Sequence, residues 1–313
     1  LSNQAGFLFG FIFLPHTSSS LLRHIANKMS ILKIAVQKSG RLSEKSLQLL
    51  ADCGIKISNG ERRLKAVSPN FPIEVLFLRD DDIPQYVEEG VADAGILGEN
   101  EVWEKDKNIT VVKKLGFASC RLSLAVPKDA NYTGPQYFSG KKVATSYPVI
   151  LQKFFNENNL DTAIETISGS VEIAPAIGLA DGIFDIVSTG STLQINGLKE
   201  VEVVTKSEAV LISNPNLSVE KQQILDKLLF RIQSVINAAE NKYILLNAPN
   251  ESIEKISEIL PGMKSPTVLP LAEEGWSSIH SVIREDAFWD IIDQLKALGA
   301  EGILVTNVEK MIL

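Results

Sequence analysis

A 30-residue stretch from Gly169 to Leu198, GSVEIAPAIGLADGIFDIVSTGSTLQINGL, carries the densest chemistry in the chain. An apolar strand bearing Asp185 delivers the backbone into Ser188-Thr189-Gly190-Ser191-Thr192-Leu193. Hydroxyls and backbone N–H groups converging around a glycine at a strand-to-helix turn form a concave anion site, to which the helix N-terminus adds partial positive charge. A phosphate fits there. Asp185, a few residues back, could then accept hydrogen bonds from the vicinal hydroxyls of a sugar attached to that phosphate. The same residues also read as a Ser/Thr-rich helix cap behind a strand-end aspartate, and this segment alone does not separate the two.

Three further clusters sit at predicted strand ends. Gln37-Lys38-Ser39-Gly40-Arg41-Leu42-Ser43 places two cations around a glycine, which suits a polyphosphate, although taken alone the segment reads better as a solvated loop. Arg79-Asp80-Asp81-Asp82-Ile83-Pro84 could hold magnesium, but acids and a proline at this spacing first predict a helix start. Asp93 to Asn100 (DAGILGEN) is a strand that ends in a glycine turn with Glu99 and Asn100 at its tip. No Walker A, HExxH or GxSxG sequence occurs, and of the three histidines His16 and His24 precede the first strand while His280 lies near the C-terminus. The main domain therefore offers no histidine as a general base.

The elements that must position these clusters alternate. Ile31–Gln37, Ile73–Leu78, Ala92–Leu97, Thr110–Lys114, Leu122–Val126, Lys142–Thr145 and Phe184–Val187 read as strands. Helices are predicted from a Ser43 cap through Cys53, over Ile83–Glu89, Val149–Asn156 and Glu172–Ala180, and over the long amphipathic Val219–Glu240. This order predicts a largely parallel α/β sheet with ligands at the C-terminal strand ends. The last 72 residues, 242–313, follow βαββαβ: strand Tyr243–Asn247, helix Ser252–Leu260, strands Thr267–Leu269 and Ile279–Ile283, helix Ala287–Leu298 and strand Gly302–Val305. That is the ferredoxin-like order.

Length and composition bound the function. A chain of 313 residues, 45% hydrophobic, has room for about two domains. With 31 Lys plus Arg against 38 Asp plus Glu, the net charge of -7 argues against a nucleic-acid or membrane-surface binder. Cys53 and Cys120 are far apart and form no zinc pattern, which fits a reducing, cytoplasmic setting. The apolar run Gly6–Leu14 is too short to span a bilayer, and no positive charge precedes it. Residues 1–28 are read as an upstream-translated or cloning-derived leader outside the fold, with a degenerate export or transit sequence as the second reading. Met29 opens the first strand.

Taken together, IAVQKSGRLSEKS at Ile34–Ser46, LRDDDIPQYVEEGVADAGILGEN at Leu78–Asn100, CRLSLAVP at Cys120–Pro127, KVATSYP at Lys142–Pro148 and the Gly169–Leu193 block are specific. The chain resembles the long form of ATP phosphoribosyltransferase, the first enzyme of histidine biosynthesis, over residues 31–313. The resemblance implies a two-lobed catalytic part, 29–241, like periplasmic binding proteins with the site in the cleft, and a C-terminal ferredoxin-like histidine-binding regulatory domain, 242–313. It implies that Ser188, Thr189, Gly190, Ser191, Thr192 and Leu193 hold the 5-phosphate of phosphoribosyl pyrophosphate (PRPP), with Glu172 and Asp185 near its ribose. Lys38, Gly40, Arg41, Arg79, Glu99 and Asn100 would line the region for ATP and pyrophosphate; Lys38, Arg41, Glu172 and Asp185 are the catalytic candidates. Thr267 and Ala300 would contact regulatory histidine, with Mg²⁺ held mainly through substrate phosphates. A homo-oligomer is implied, a hexamer with a dimer as its lower state.

The implied reaction is attack by N1 of the ATP adenine on the anomeric carbon of PRPP, releasing pyrophosphate and giving phosphoribosyl-ATP. A ring nitrogen with a free lone pair needs no base, which agrees with the missing histidines. The competing expectation is a periplasmic-type solute-binding protein, which shares two lobes and a cleft. The C-terminal module and the acid matched to the phosphate loop disfavour it.

Overall fold

The computed structural model describes residues 30–57, 64–260 and 262–313. The expectations for residues 1–28 and Met29 lie outside the described residues. Residues 31–313 form one compact unit built on three sheets.

The first lobe holds the sheet β2-β3-β1-β4-β11-β5. Its strands are β1 (Leu32–Gln37), β2 (Lys65–Val67), β3 (Ile73–Leu78), β4 (Ala94–Gly98), β5 (Thr110–Lys114) and β11 (Ala209–Ser213). β1 is apolar because it is central: it pairs in parallel with both β3 and β4, and Leu32, Ile34, Ala35 and Val36 are fully buried. Around the sheet lie α1 (Arg41–Asp52), α2 (Ile83–Glu88), α3 (Glu99–Lys105) and the long α6 (Val219–Ala239). α6 lays Ile224, Leu225, Leu228 and Ile232 into the same core as β1 and β3.

The second lobe holds β10-β6-β9-β7-β8, with β6 (Cys120–Pro127), β7 (Lys142–Thr145), β8 (Ala163–Thr166), β9 (Gly182–Val187) and β10 (Leu198–Ser207). Its helices are α4 (Pro148–Glu157) and the short α5 (Ser191–Ile195). The chain crosses between lobes twice, through 115–119 and at 208. These crossings bond to each other, Leu115 N–H to Ala209 C=O and Ala209 N–H to Phe117 C=O, both at 2.9 Å.

Because of that return, the sheets are mixed rather than largely parallel. β11 arrives from the second lobe and inserts antiparallel between β4 and β5, and β6 runs antiparallel to both β9 and β10. Strand order along the sequence does not carry direction. Three other expectations are corrected. The first helix starts at Arg41 with Gly40, not Ser43, at its cap, and the Ser43 side chain is buried instead. Glu172–Ala180 is not a helix: a 3₁₀ turn over Val171–Ile173 runs into isolated turns, with Pro175 lacking a donor and Gly178 at φ 73°. Only Val171 and Ala174 anchor it, while Ile177 stays 67% exposed. Strands β2, β8, β10 and β11 were not expected; β10, LKEVEVVTKS, is charged enough to read as a solvated loop.

The C-terminal module has β12 (Asn241–Pro249), α7 (Ile253–Ile259), β13 (Thr267–Pro270), β14 (Trp276–Arg284), α8 (Glu285–Ala297) and β15 (Glu301–Asn307). Its sheet is antiparallel in the order β13-β14-β12-β15, as the ferredoxin-like βαββαβ pattern requires.

Candidate active site

The C-terminal ends of β1, β3 and β4 face the second lobe across a cavity of about 560 Å³. Lobe-one walls are Gln37, Arg41, Lys45, Asp80, Asn100 and Glu101; residues 116–119 of the crossing line it between the lobes, and Cys120, Ile186 and Ser188 line it from lobe two. Of the residues expected from sequence, the cavity brings together Arg41, Asn100 and Ser188. Lys38, Gly40 and Arg41 are exposed on the turn that Gly40, at φ 93°, allows between β1 and α1. Among the described residues neither Lys38 nor Arg41 is ion-paired. Arg79 is exposed too, its Nε 3.3 Å from Asp81 Oδ1.

Glu99 and Asn100 are differently occupied. Both are buried; Glu99 pairs with Lys114 at 3.0 Å, and Asn100 donates to Glu101 Oε1 at 3.0 Å while its Oδ1 accepts from Ser207 Oγ at 2.8 Å. Their polar groups thus tie α3 to the crossings. Asn100 still borders the cavity, whereas Glu99 does not.

β9 carries Asp185, and the loop after it turns through Gly190 at φ 81°, a left-handed value that a side chain would strain. Thr189 and Ser191 hydroxyls lie 3.0 Å apart, Ser188, Thr189, Ser191 and Thr192 are exposed, and Leu193 anchors the turn in the lobe-two core. Burial raises the Asp185 carboxyl to about 6; the Ile186 N–H at 2.7 Å pulls it back and the Glu172 charge adds to the rise. Asp185 and Glu172 are therefore mutually close acids beside the hydroxyl loop.

Sequence reasoning missed two groups on this cleft. Glu101, 5% exposed, is raised to about 7 by burial and by Asp80, with the Tyr147 hydroxyl of lobe two pulling it back. Behind the loop, Arg121 is paired with Glu200, which also accepts from Ser123 Oγ at 2.7 Å. The signal for Glu101 was present as the next letter after GEN, but nothing local marks it as buried.

Two family models match the chain: "ATP phosphoribosyltransferase" over residues 79–234 and "HisG, C-terminal domain" over 238–310. An ATP phosphoribosyltransferase of Phocaeicola vulgatus is 62% identical over 283 residues, 90% of this chain and 100% of the relative. The chain belongs to the ATP phosphoribosyltransferase family.

A second member, from Bacteroides thetaiotaomicron, is 59% identical with the same coverage. Among solved structures, a Thermotoga maritima ATP phosphoribosyl transferase (HisG:HisZ) complex aligns with 29% identity and a TM-score of 0.58, over 66% of this chain and 98% of that chain. As a member of the family the chain is a pentosyltransferase of the first step of histidine biosynthesis, and the solute-binding alternative reduces to a shared two-lobed fold. In the C-terminal module, Thr267 lies exposed on edge strand β13, and Ala300, 7% exposed, precedes the opposite edge strand β15. Two strands lie between them, so within one chain the positions are at least about 14 Å apart at strand spacing. His280 bonds within its own sheet, its Nδ1 to Tyr243 at 2.6 Å and its Nε2 to Ser278 at 3.1 Å.

Proposed function

We propose that the inter-lobe cleft aligns PRPP on lobe two with ATP on lobe one, and that Asp185 and the Ser188–Leu193 loop are its centre. The observation that carries this reading is the single strand-turn unit that sets a partly buried acid beside a hydroxyl-rich, left-handed glycine turn, with Ser188 facing Arg41 across the cavity. Backbone N–H groups and hydroxyls of Ser188, Thr189, Gly190, Ser191 and Thr192 hold the 5-phosphate. Asp185 and Glu172 orient the ribose hydroxyls. The adenine N1 lone pair attacks the anomeric carbon as the bond to pyrophosphate breaks, and Asp185, mostly ionised above its value of about 6, stabilises the positive charge on the ribose ring. Lys38 and Arg41 take up the charge on the leaving pyrophosphate or the nucleotide phosphates, with Arg79, Gly40 and Asn100 along the same wall. Alignment of two large ligands supplies most of the remaining rate.

A divalent metal, here assigned as Mg²⁺, screens the polyphosphates when bound. Among the described residues no cluster of three or more His, Cys, Asp or Glu side chains could hold a metal. A cation carried mainly on substrate phosphates would find Asp80 and Glu101 as the carboxylates on the cavity wall. Mixing the protein with ATP, PRPP and Mg²⁺ should produce a new adenine chromophore that requires all three. No absorbance change, with PRPP shown intact, would remove the proposal.

Residues 29–241 then form the catalytic part and 242–313 a histidine-binding regulatory module of a homo-oligomer, a hexamer built from dimers. The separation of Thr267 and Ala300 to opposite sheet edges supports a ligand site completed between copies. Cytoplasmic residence fits the two free cysteines, and among the described residues no helix is long and apolar enough to cross a membrane. Histidine should inhibit, with coupling on the order of 1 to 3 kcal/mol. Unchanged activity at saturating histidine would make the module one of assembly alone.

A further inference from the structure

The two crossings that join the lobes are adjacent and hydrogen-bonded to each other, so they define an axis without fixing the angle about it. α3 starts on that axis, where the Asn100 N–H donates to Ser207 Oγ at 3.0 Å. Four residues later, roughly 6 Å along the helix, Glu104 leaves lobe one altogether. Its carboxylate, 8% exposed, accepts from the Val149 N–H with both oxygens at 3.1 Å and from the Ile150 N–H at 3.1 Å. These are first-turn donors of α4, whose own cap residue, Tyr147, supplies no side-chain acceptor. One lobe thus caps a helix of the other. Beside Glu104, Trp103 packs against the lobe-two core of Leu122, Phe138 and Phe155. An off-axis polar contact and an apolar one together resist rotation about the crossings.

We propose that α3 is a clasp between the lobes and that Glu104 is a positioning residue, setting the cleft width at which the lobe-two phosphate loop faces the lobe-one cations. Glu104 does not line the cavity between the lobes. It acts through α4, which is packed on β8 and the core beneath β7 and β9. The positioning role rests on the cleft being the site of transfer; the clasp itself does not.

The test uses the full chain with nitroxides at Glu89→Cys in lobe one and Asp161→Cys in lobe two, in a Cys53→Ala, Cys120→Ser background, diluted with unlabelled protein. The parent should give one narrow inter-lobe distance. Glu104→Ala should broaden it and lower kcat about 10-fold at a temperature where circular dichroism shows full folding. Glu104→Gln, which keeps one acceptor oxygen, should fall between. A narrow parental distance in Glu104→Ala, with only a lower Tm, would overturn the clasp. A broadened distance with parental kcat would overturn the positioning role. A parent that turns over no ATP and PRPP while showing the expected distances strikes the functional reading and leaves the clasp standing.

Discussion

The Nη1 of Arg121 donates to the Ser188 carbonyl at 2.9 Å, while its Nε and Nη2 both bond to Glu200. A guanidinium held bidentately on β10 therefore grips the first residue of the phosphate loop from behind. Lysine has no fork and cannot hold both partners in one geometry. Arg121→Lys should loosen the loop: losing a charge-assisted bond worth about 1.5 to 3 kcal/mol should raise KM for PRPP roughly 10-fold or more, with a smaller effect on KM for ATP. Steady-state kinetics at saturating ATP will measure this, and an unchanged PRPP KM would show that the loop holds its shape without Arg121.

Asp185 predicts a pH signature. Its carboxyl is raised to about 6, mainly by burial, so free enzyme loses the ionised form as pH falls through that value. If the carboxylate stabilises the electron-poor ribose, kcat/KM for PRPP should fall on the acid side of pH 6. Asp185→Asn should abolish that limb and depress kcat more than substrate affinity. Near-parental turnover in Asp185→Asn, with a changed melting temperature, would make Asp185 a strand-end structural residue.

Gly190 and Thr192 separate the loop's backbone from its hydroxyls. Thr192→Ala leaves the N–H donors in place, so it should cost one hydrogen bond to a charged group, about 1.5 to 3 kcal/mol, seen mainly as weaker PRPP binding. Gly190→Ala puts a side chain at φ 81° and strains the turn itself, at about 1 to 2 kcal/mol before any ligand is present. It should therefore lower both Tm and PRPP affinity, whereas Thr192→Ala leaves Tm unchanged. Equal effects of the two on Tm would mean that Thr192 supports the turn rather than the ligand.

The loop and Asp185 were legible because one strand-turn unit contains them, and glycine among hydroxyls is a local signal. The C-terminal βαββαβ order was legible for the same reason. Glu99 and Asn100 were legible as polar residues at a strand tip, but their partners were not: Lys114 and Ser207, distant in sequence, take up their side chains. Glu104 and Arg121 were invisible because their partners lie 45 and 67 residues away, across the lobe boundary or behind the loop. Sheet direction was lost with β10 and β11, the strands of the return crossing.

Glu101 sets up the last prediction. Burial and the neighbouring Asp80 raise its carboxyl from the ordinary 4.5 to about 7, so between those values the folded ligand-free protein holds a proton that the unfolded chain has released. Stability then falls as pH rises through this window and the penalty is complete above pH 7, on the order of 3 kcal/mol at about 1.4 kcal/mol per unit. Glu101→Gln keeps an oxygen to accept the Asn100 amide and removes the titration. The variant should match the parent at pH 4 and be more stable at pH 8, with a flatter slope between; denaturant unfolding across that range measures both. Should the two proteins keep parallel stability curves from pH 4 to 8, Glu101 is solvated well enough to ionise freely, and the cleft is wetter than its burial indicates.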